Sequence, residues 1–378
     1  MKIALVTYGV SVHGGTQKQV LRLAEDLRRR GVSVQILVFE YDPKSGYQGF
    51  GGFSVETFTK SNVAGRLGRL LGDIYASWRL VSSIAKNTDV LNIHDHGCIW
   101  VQILAKLRRP RMKVVWQIND LHAAFRMGPS SDHKQRWTSF LHRWLCRFAA
   151  KLANHITVNV MKNKLRVDQC YQVNSTLMYP GVDALETKPI DRKFKTPLAL
   201  LSVGVFFPYR NYESVLRSMV CLREQGVKSQ LTLVGATCHS ETYAEKIRTL
   251  ACELEVQVLI TGEIDDSRLG QIIRHSDIFL FPNLDQSWGL SVFEAMSSSL
   301  PVVVSKSAGA AELLTGRPGS RIVDALSPSE IASAVIEITK TQEDYNRLCR
   351  EAFMTVSEMS WPKTYCQEAW HLFTELSA

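Results

Sequence analysis

Phe281-Pro282-Asn283-Leu284-Asp285-Gln286-Ser287-Trp288-Gly289-Leu290-Ser291-Val292-Phe293-Glu294-Ala295-Met296 reads as a strand that runs out, a polar loop, and a helix that begins near Leu290. Pro282 cannot donate to a sheet ladder and ends the strand. Gly289 lets another group approach the backbone where the free N–H groups of a helix start point outward, an arrangement suited to a phosphate. Glu294 follows about one turn later, where a carboxylate can accept hydrogen bonds from vicinal hydroxyls, as acidic residues do for ribose. The plainer alternative is a solvated helix residue. Its neighbours Val292, Phe293, Ala295 and Met296 are apolar, so the helix is predicted to be buried, and a buried unpaired carboxylate is costly.

Similar units extend in both directions. Strands are predicted at 198–203, 230–235, 256–261, 277–281 and 301–305, with helices at 211–224, 241–253, 267–274, 290–298 and 328–339. Upstream, strands are predicted at 3–8, 33–39, 89–93, 113–118 and 155–159. Val20, Leu23, Ala24 and Leu27 share one face of a helix that Gly31 caps. Short, almost continuously apolar strands alternating with amphipathic helices predict an α/β fold with parallel sheets buried on both faces. The alternation occurs twice, around a break at Tyr179-Pro180-Gly181-Val182-Asp183. Two Rossmann-like domains are therefore expected, 1–180 and 181–360. Ligands of such sheets sit beyond the C-terminal strand ends, and two domains face to face would make a cleft.

Composition narrows the classes. The 378 residues suit two domains at roughly 100–200 residues each. The apolar run Ile3-Ala4-Leu5-Val6 is too short for a signal peptide, and no stretch approaches the roughly 20 apolar residues of a membrane span. A cytoplasmic protein is expected, touching the inner membrane surface at most. Eight scattered cysteines form no C-x-x-C pair and no zinc spacing, so reduced thiols are expected and no metal site. A formal charge of +9 favours polyanionic partners such as anionic lipid or phosphorylated substrates. Nucleic acid is not expected, because the basic residues are dispersed and no recognition motif occurs.

The ordered set of loops resembles the retaining glycosyltransferases of family 4, which have the GT-B fold. Their signature E-x-F-G-L-x-x-x-E-A-M, then P-V-V and a Gly-rich loop ending in Glu, is similar to Gln286-Ser287-Trp288-Gly289-Leu290 through Glu294-Ala295-Met296. Pro301-Val302-Val303-Val304-Ser305 and Ala308-Gly309-Ala310-Ala311-Glu312 follow. Gly14-Gly15, Gly262-Glu263-Ile264 and Ser276-Asp277-Ile278-Phe279-Leu280-Phe281-Pro282 agree in order, so the resemblance spans nearly the whole chain.

This resemblance implies an acceptor-binding first domain, a donor-binding second domain, and a last helix, 361–378, that crosses back to the first. It implies transfer of a hexosyl group from a UDP- or GDP-sugar to a saccharide or lipid-linked saccharide, without metal or other cofactor. It gives Glu294 to the ribose, Gln286 to the donor sugar, and Gly289 and Leu290 to the diphosphate, with Ser287 and Trp288 in the same loop. Glu263 and Ile264 match the loop over the base. Gly14, Gly15 and Gly204 are further donor-side positions, although Gly14-Gly15 reads equally well as a tight turn. His13, His94, Asn119 and Asp120 fall on the acceptor side. Arg210, Gln286 and Asn119 form the implied catalytic set.

Three departures stand out. The usual Gly-Arg-x-x-x-x-Lys reads Gly204-Val205-Phe206-Phe207-Pro208-Tyr209-Arg210, so Val205 replaces one cation and Arg210 takes the Lys position. Gln286 replaces a Glu, and a usual His-Asp reads Asn119-Asp120. A degenerate, non-catalytic domain that binds a nucleotide sugar or a partner is the alternative these losses raise. None removes an obligatory nucleophile, because the implied reaction is a front-face displacement that rests on positioning and charge stabilisation. No D-x-D occurs, which agrees with a metal-free site.

Two weaker signals remain. Asn92-Ile93-His94-Asp95-His96-Gly97 after a strand suits acceptor contacts better than a metal, which needs a further ligand. Residues 136–151 predict a basic, aromatic-rich helix that either lies on an anionic membrane or packs inward with a solvated basic face.

Overall fold

The computed structural model describes residues 1–59, 65–126, 133–238, 240–285 and 288–378, with backbone alone at 66, 123, 126 and 133–139. The chain divides into two compact units. Unit 1 comprises Met1–Gly181 and Trp361–Ala378, and unit 2 comprises Val182–Ser360.

Unit 1 carries β1 (Lys2–Gly9), β2 (Ser33–Glu40), β3 (Val55–Thr57), β4 (Val90–His94), β5 (Lys113–Ile118), β6 (His155–Val158) and β7 (Thr176–Leu177). They form one sheet in the order β3-β2-β1-β4-β5-β6-β7, parallel throughout. Its helices are α1 (Gly15–Arg29), α2 (Arg66–Ser83), α3 (Ile99–Arg108), α4 (Ala123–Arg126), α5 (His133–Leu152) and α6 (Met161–Tyr171). Unit 2 carries β8 (Leu198–Val203), β9 (Ser229–Val234), β10 (Gln257–Gly262), β11 (Ile278–Phe281), β12 (Val302–Ser305) and β13 (Ser320–Val323), in the order β10-β9-β8-β11-β12-β13. Its helices are α7 (Tyr212–Glu224), α8 (Glu241–Glu253), α9 (Asp266–His275), α10 (Leu290–Ser297), α11 (Ala310–Leu314), α12 (Pro328–Ile338) and α13 (Gln342–Val356). The α/β fold with two parallel sheets is the expected one. Three strands escaped prediction: β3 and β7 have three and two residues, and β13 holds only two apolar residues.

The physical reason is visible in the strands themselves. β4 and β11 are buried along their whole length, as parallel strands covered on both faces must be. Helix starts are fixed locally: Asp265, Ser327 and Thr341 accept hydrogen bonds from the backbone N–H of Arg268, Glu330 and Asp344. The last helix, α14 (Tyr365–Ser377), packs on α1 and β4, so it belongs to unit 1. Tyr365, Ala369 and Phe373 are buried there, and the Cys366 thiol donates to the Arg22 carbonyl at 3.6 Å. The Gly181 Cα lies against the backbone of Trp361, where any side chain would collide.

Unit 2 is closed by one buried cation. The Arg192 guanidinium donates to the carbonyls of Ser298 at 2.7 Å, Ser276 at 2.9 Å and Arg274 at 3.0 Å, ending two segments that would otherwise bury bare carbonyls. Arg192→Leu should destabilise unit 2 by about 3 kcal/mol or more, because several buried acceptors lose a charged donor together. Thermal melting of the variant checks this; an unchanged melting temperature would contradict it.

Candidate functional site

In unit 2 the chain lays down β8, β9 and β10 in one direction and then returns to place β11 on the other side of β8. The loops after β8 and β11 therefore flank the point where the winding reverses, which is where open parallel sheets bind ligands. They are the two loops singled out in the sequence, Gly204–Asn211 and Pro282–Gly289.

Arg210 is held tightly. Its Nε donates to the Val205 carbonyl at 3.1 Å, and its guanidinium lies 5.3 Å from the centre of the Tyr209 ring. It covers Gly204 so closely that a Cβ there would collide with the guanidinium carbon and nitrogens. The next residue fixes the loop. Asn211 is buried in a left-handed conformation, φ 53°, and its Nδ2 donates to the carbonyls of Ala325 at 2.7 Å and Pro282 at 3.3 Å. Its Oδ1 accepts from the Ser214 hydroxyl at 2.9 Å, and Leu284 N–H donates to the Tyr209 carbonyl at 2.7 Å. One side chain thus ties the ends of β8, β11 and β13 together. Sequence reading passed over Asn211; the signal was an Asn directly before a helix.

Glycines keep this edge bare. Gly204 and Gly235 directly follow β8 and β9, Gly262 ends β10, and a Cβ at Gly235 would strike the Gly204 carbonyl. Gly235, also missed, donates its N–H to the Gly262 carbonyl at 3.0 Å. Gly289, φ 110°, opens α10, and a Cβ there would lie 2.9 Å from the Phe281 ring. Glu294 is half-buried on α10, while Val292, Phe293, Ala295 and Met296 are core. Leu290 begins α10, and Glu263 and Ile264 follow β10 at the same edge. Trp288 differs from expectation. Its ring is buried and stacks on Phe293 at 4.6 Å, so the side chain packs the loop against α10. Gln286 and Ser287 lie outside the described residues.

In unit 1 the winding reverses between β1 and β4. The loop after β1 carries His13 and Gly14, and a Cβ at Gly15 would meet nothing within 4 Å, so the start of α1 is open. Gly14 instead sits against the Gln17 side chain. Asp120 follows β5 and is exposed. Two expectations change. His94 is the fully buried last residue of β4, its Nε2 lies 2.7 Å from Asn92 Oδ1, and burial pushes its pKa down to about 3; it is a neutral core residue. Asn119 donates to Gln19 at 2.8 Å and Thr16 at 3.1 Å and accepts from Gln117 at 2.9 Å. Both its donor hydrogens are committed to holding α1 to β5, so toward a hydroxyl it offers only its amide oxygen. Beyond the end of β4 come Asp95 and His96, both partly buried. Asp95 takes φ 75° and accepts from the Thr7 hydroxyl at 2.8 Å, and burial raises its pKa. His96 Nε2 lies 2.6 Å from the Tyr171 hydroxyl, and its ring meets His122. His122, unmarked by any motif, could not be placed from sequence. Among the described residues no cluster of three His, Cys, Asp or Glu side chains could hold a metal ion.

Comparison with known proteins places this geometry. Residues 183–353 match the family described as Glycosyl transferases group 1, and residues 13–184 match Glycosyltransferase Family 4. The chain is a family 4-like glycosyltransferase of the GT-B fold. It is 23% identical over 247 residues to an uncharacterized glycosyltransferase of Methanocaldococcus jannaschii, covering 62% of this chain and 61% of that one. Matches to the first curated relatives span about half to three fifths of their length. Sucrose-phosphate synthase from Thermosynechococcus elongatus superposes with a TM-score of 0.80 at 16% identity, over 99% of this chain and 98% of that one. Anabaena Alr3699/HepE, solved in complex with UDP-glucose, superposes with a TM-score of 0.76 at 16% identity, over 99% and 100%.

If Gly204 exists to admit Arg210, Gly204→Ala should weaken binding of a nucleoside diphosphate about as much as Arg210→Ala. The double variant should be little worse than either, because both changes remove the same group. Calorimetric titration with UDP and GDP measures the cycle; full additivity would show that Gly204 acts independently of Arg210.

Proposed function

We propose that this glycosyltransferase moves a hexosyl group from a UDP- or GDP-sugar to a saccharide or lipid-linked saccharide, with retention of configuration. The observation that carries this reading is the guanidinium of Arg210 fixed over Gly204 at the winding reversal of unit 2, beside backbone kept bare by Gly235, Gly262 and Gly289. A solved structure of similar fold holding UDP-glucose supports a sugar nucleotide as ligand. In this reading the diphosphate lies against Arg210 and the start of α10, the ribose against Glu294, and the base near Glu263 and Ile264. Unit 1 would present the acceptor through His13 and Asp120, with Gly15 a donor-side position.

The chemistry needs no protein nucleophile. The acceptor oxygen bonds to the anomeric carbon on the face from which the β-phosphate oxygen departs, and the hydroxyl proton passes to that departing oxygen. Arg210 stabilises the charge that develops there, as preorganised donors do in a dry site. Arg210 and the helix start take the role a metal would otherwise play. The second reading, a domain that binds without turnover, is favoured by Val205, which leaves one customary cation missing.

A thermal-shift panel of UDP-, GDP- and ADP-sugars identifies the donor, since a bound ligand raises apparent stability. With that donor, Arg210→Ala should lower turnover about 10²-fold, as loss of a transition-state electrostatic partner does. Arg210→Lys should recover part, because a point charge replaces a planar fork. Glu294→Ala should weaken nucleotide binding by about 1.5–3 kcal/mol. Tight binding with no turnover in the native protein would favour the second reading. Turnover should survive EDTA; loss on chelation with recovery in Mg²⁺ or Mn²⁺ would refute the metal-free assignment.

A further inference from the structure

Helices α2, α3, α5 and α6 lie side by side on one face of the unit 1 sheet. Their crossovers all run in the direction β4, β5, β6, β7, which places right-handed connections on one side, and each helix touches the next. The α1 crossover runs the opposite way, so α1 lies on the other face, where α14 packs on it. The outer surface of the four-helix layer is unusual. Of the eighteen large apolar residues exposed among the described residues, twelve lie on it. Soluble surfaces rarely gather their apolar groups in this way.

Helix α5 packs on the core through Cys146, Ala149 and Ala150, yet its outward side is apolar as well. Arg143 and Arg147 turn inward, donating to the carbonyls of Ala124 at 2.7 Å and Cys170 at 2.8 Å and flanking the Phe125 ring. Phe140, Leu141, Trp144 and Phe148 face outward, with the Trp144 and Phe148 rings stacked at 5.4 Å. The helix thus packs inward, as one of the two expected alternatives has it, but its described outward side is led by aromatic and apolar side chains where a basic face was expected. Helix α2 repeats the pattern: Leu67, Leu70, Leu71, Tyr75 and Trp78 are exposed, while Ala76, Leu80 and Val81 face the core. Leu107 extends the surface from α3, whose Arg108 reaches the Ser82 hydroxyl of α2 at 3.2 Å.

Charge selects the occupant. The four helices contain thirteen Lys and Arg against Asp73 and Asp168 alone. Unit 1 as a whole has 27 basic and 13 acidic residues, a net of +14, whereas unit 2 has 18 and 23, a net of −5. The chain's positive charge thus belongs wholly to the unit that carries the apolar face. Two copies joined through this face would bring like charges together.

We propose that the outer face of α2, α3, α5 and α6 docks on an anionic lipid bilayer. Trp and Tyr side chains settle at the headgroup level and the surrounding cations meet the negative surface potential. No helix among the described residues is long and apolar enough to cross a membrane, so the contact is superficial. The proposal stands whether or not the donor assignment does.

The test is sedimentation of the full chain, without substrate, with vesicles of phosphatidylcholine plus phosphatidylglycerol and with phosphatidylcholine alone. The native protein should sediment with the anionic vesicles, less so as salt rises. Trp78→Glu with Trp144→Glu should weaken this partition about tenfold or more, because both aromatic anchors become anions. Trp78 and Trp144 are 48% and 54% exposed, so the fold should tolerate the change, as an unchanged melting temperature would confirm. If melting falls, Leu71→Ser with Phe148→Ser gives the same readout with a milder change. Leu259→Glu with Met354→Glu, on exposed residues of unit 2, should leave sedimentation unaltered. The proposal is overturned if the native chain ignores anionic vesicles or if the Trp variant sediments like the native chain. A native dimer, seen by light scattering and broken by the Trp variant, would instead make this face a self-association surface.

Discussion

Parallel pairing governs the remainder of the molecule. Because strands in both sheets run alongside one another in the same direction, every connection must return across a face before the next strand starts. Helices consequently cover both faces, and the strands between them lose contact with water on either side. The same constraint sends every strand's C-terminal end to one edge. Gly204 with Arg210, Gly235, Gly262 and Gly289 come from four separate stretches of chain, yet they gather there because each stretch follows or ends a strand of one sheet.

The winding reversal then picks out two loops from that edge. Elsewhere along the sheet, successive connections pass over neighbouring strands and close the space between them. Beside β8 they part in opposite directions, and the gap lies between the loops that carry Arg210 and Gly289. Asn211 bridges this gap with bonds to Pro282 and Ala325, so the cation is set by three strand ends at once. A cation placed in this way loses little freedom when it meets a ligand, which is what preorganisation means in energetic terms.

Most of the strands were legible because burial on both faces leaves an unbroken Val, Ile and Leu pattern. β13 was not, since its Ser-Arg-Ile-Val carries little of that pattern, and β7 is too short to show one. In the candidate site, the placement of Gly289 at a helix start and of Arg210 in the loop after β8 was legible, because strand and helix ends show in residue type. The burial of His94 and the partners of Asn119 were not, because they depend on which way a strand end turns and on residues distant in sequence: Gln19 lies one hundred positions from Asn119. Helix α5 misled for a related reason. Its periodicity marks the buried stripe of Cys146, Ala149 and Ala150 but does not say that Arg143 and Arg147 fold back onto backbone carbonyls and leave aromatic side chains outward.

Gly181 against Trp361 joins two points of the chain separated by the whole of unit 2. Unit 1 is therefore discontinuous, and its last helix is synthesised after 179 residues that belong elsewhere. A nascent chain that has just completed the first sheet still has a bare surface on α1 and β4 where Tyr365 and Phe373 will settle. Unit 2 can finish its own core first, since none of its strands waits for a distant segment. The order in which the two units become complete is thus the reverse of the order in which they begin, and a fragment ending at the apparent domain boundary would expose apolar surface that the intact chain keeps dry.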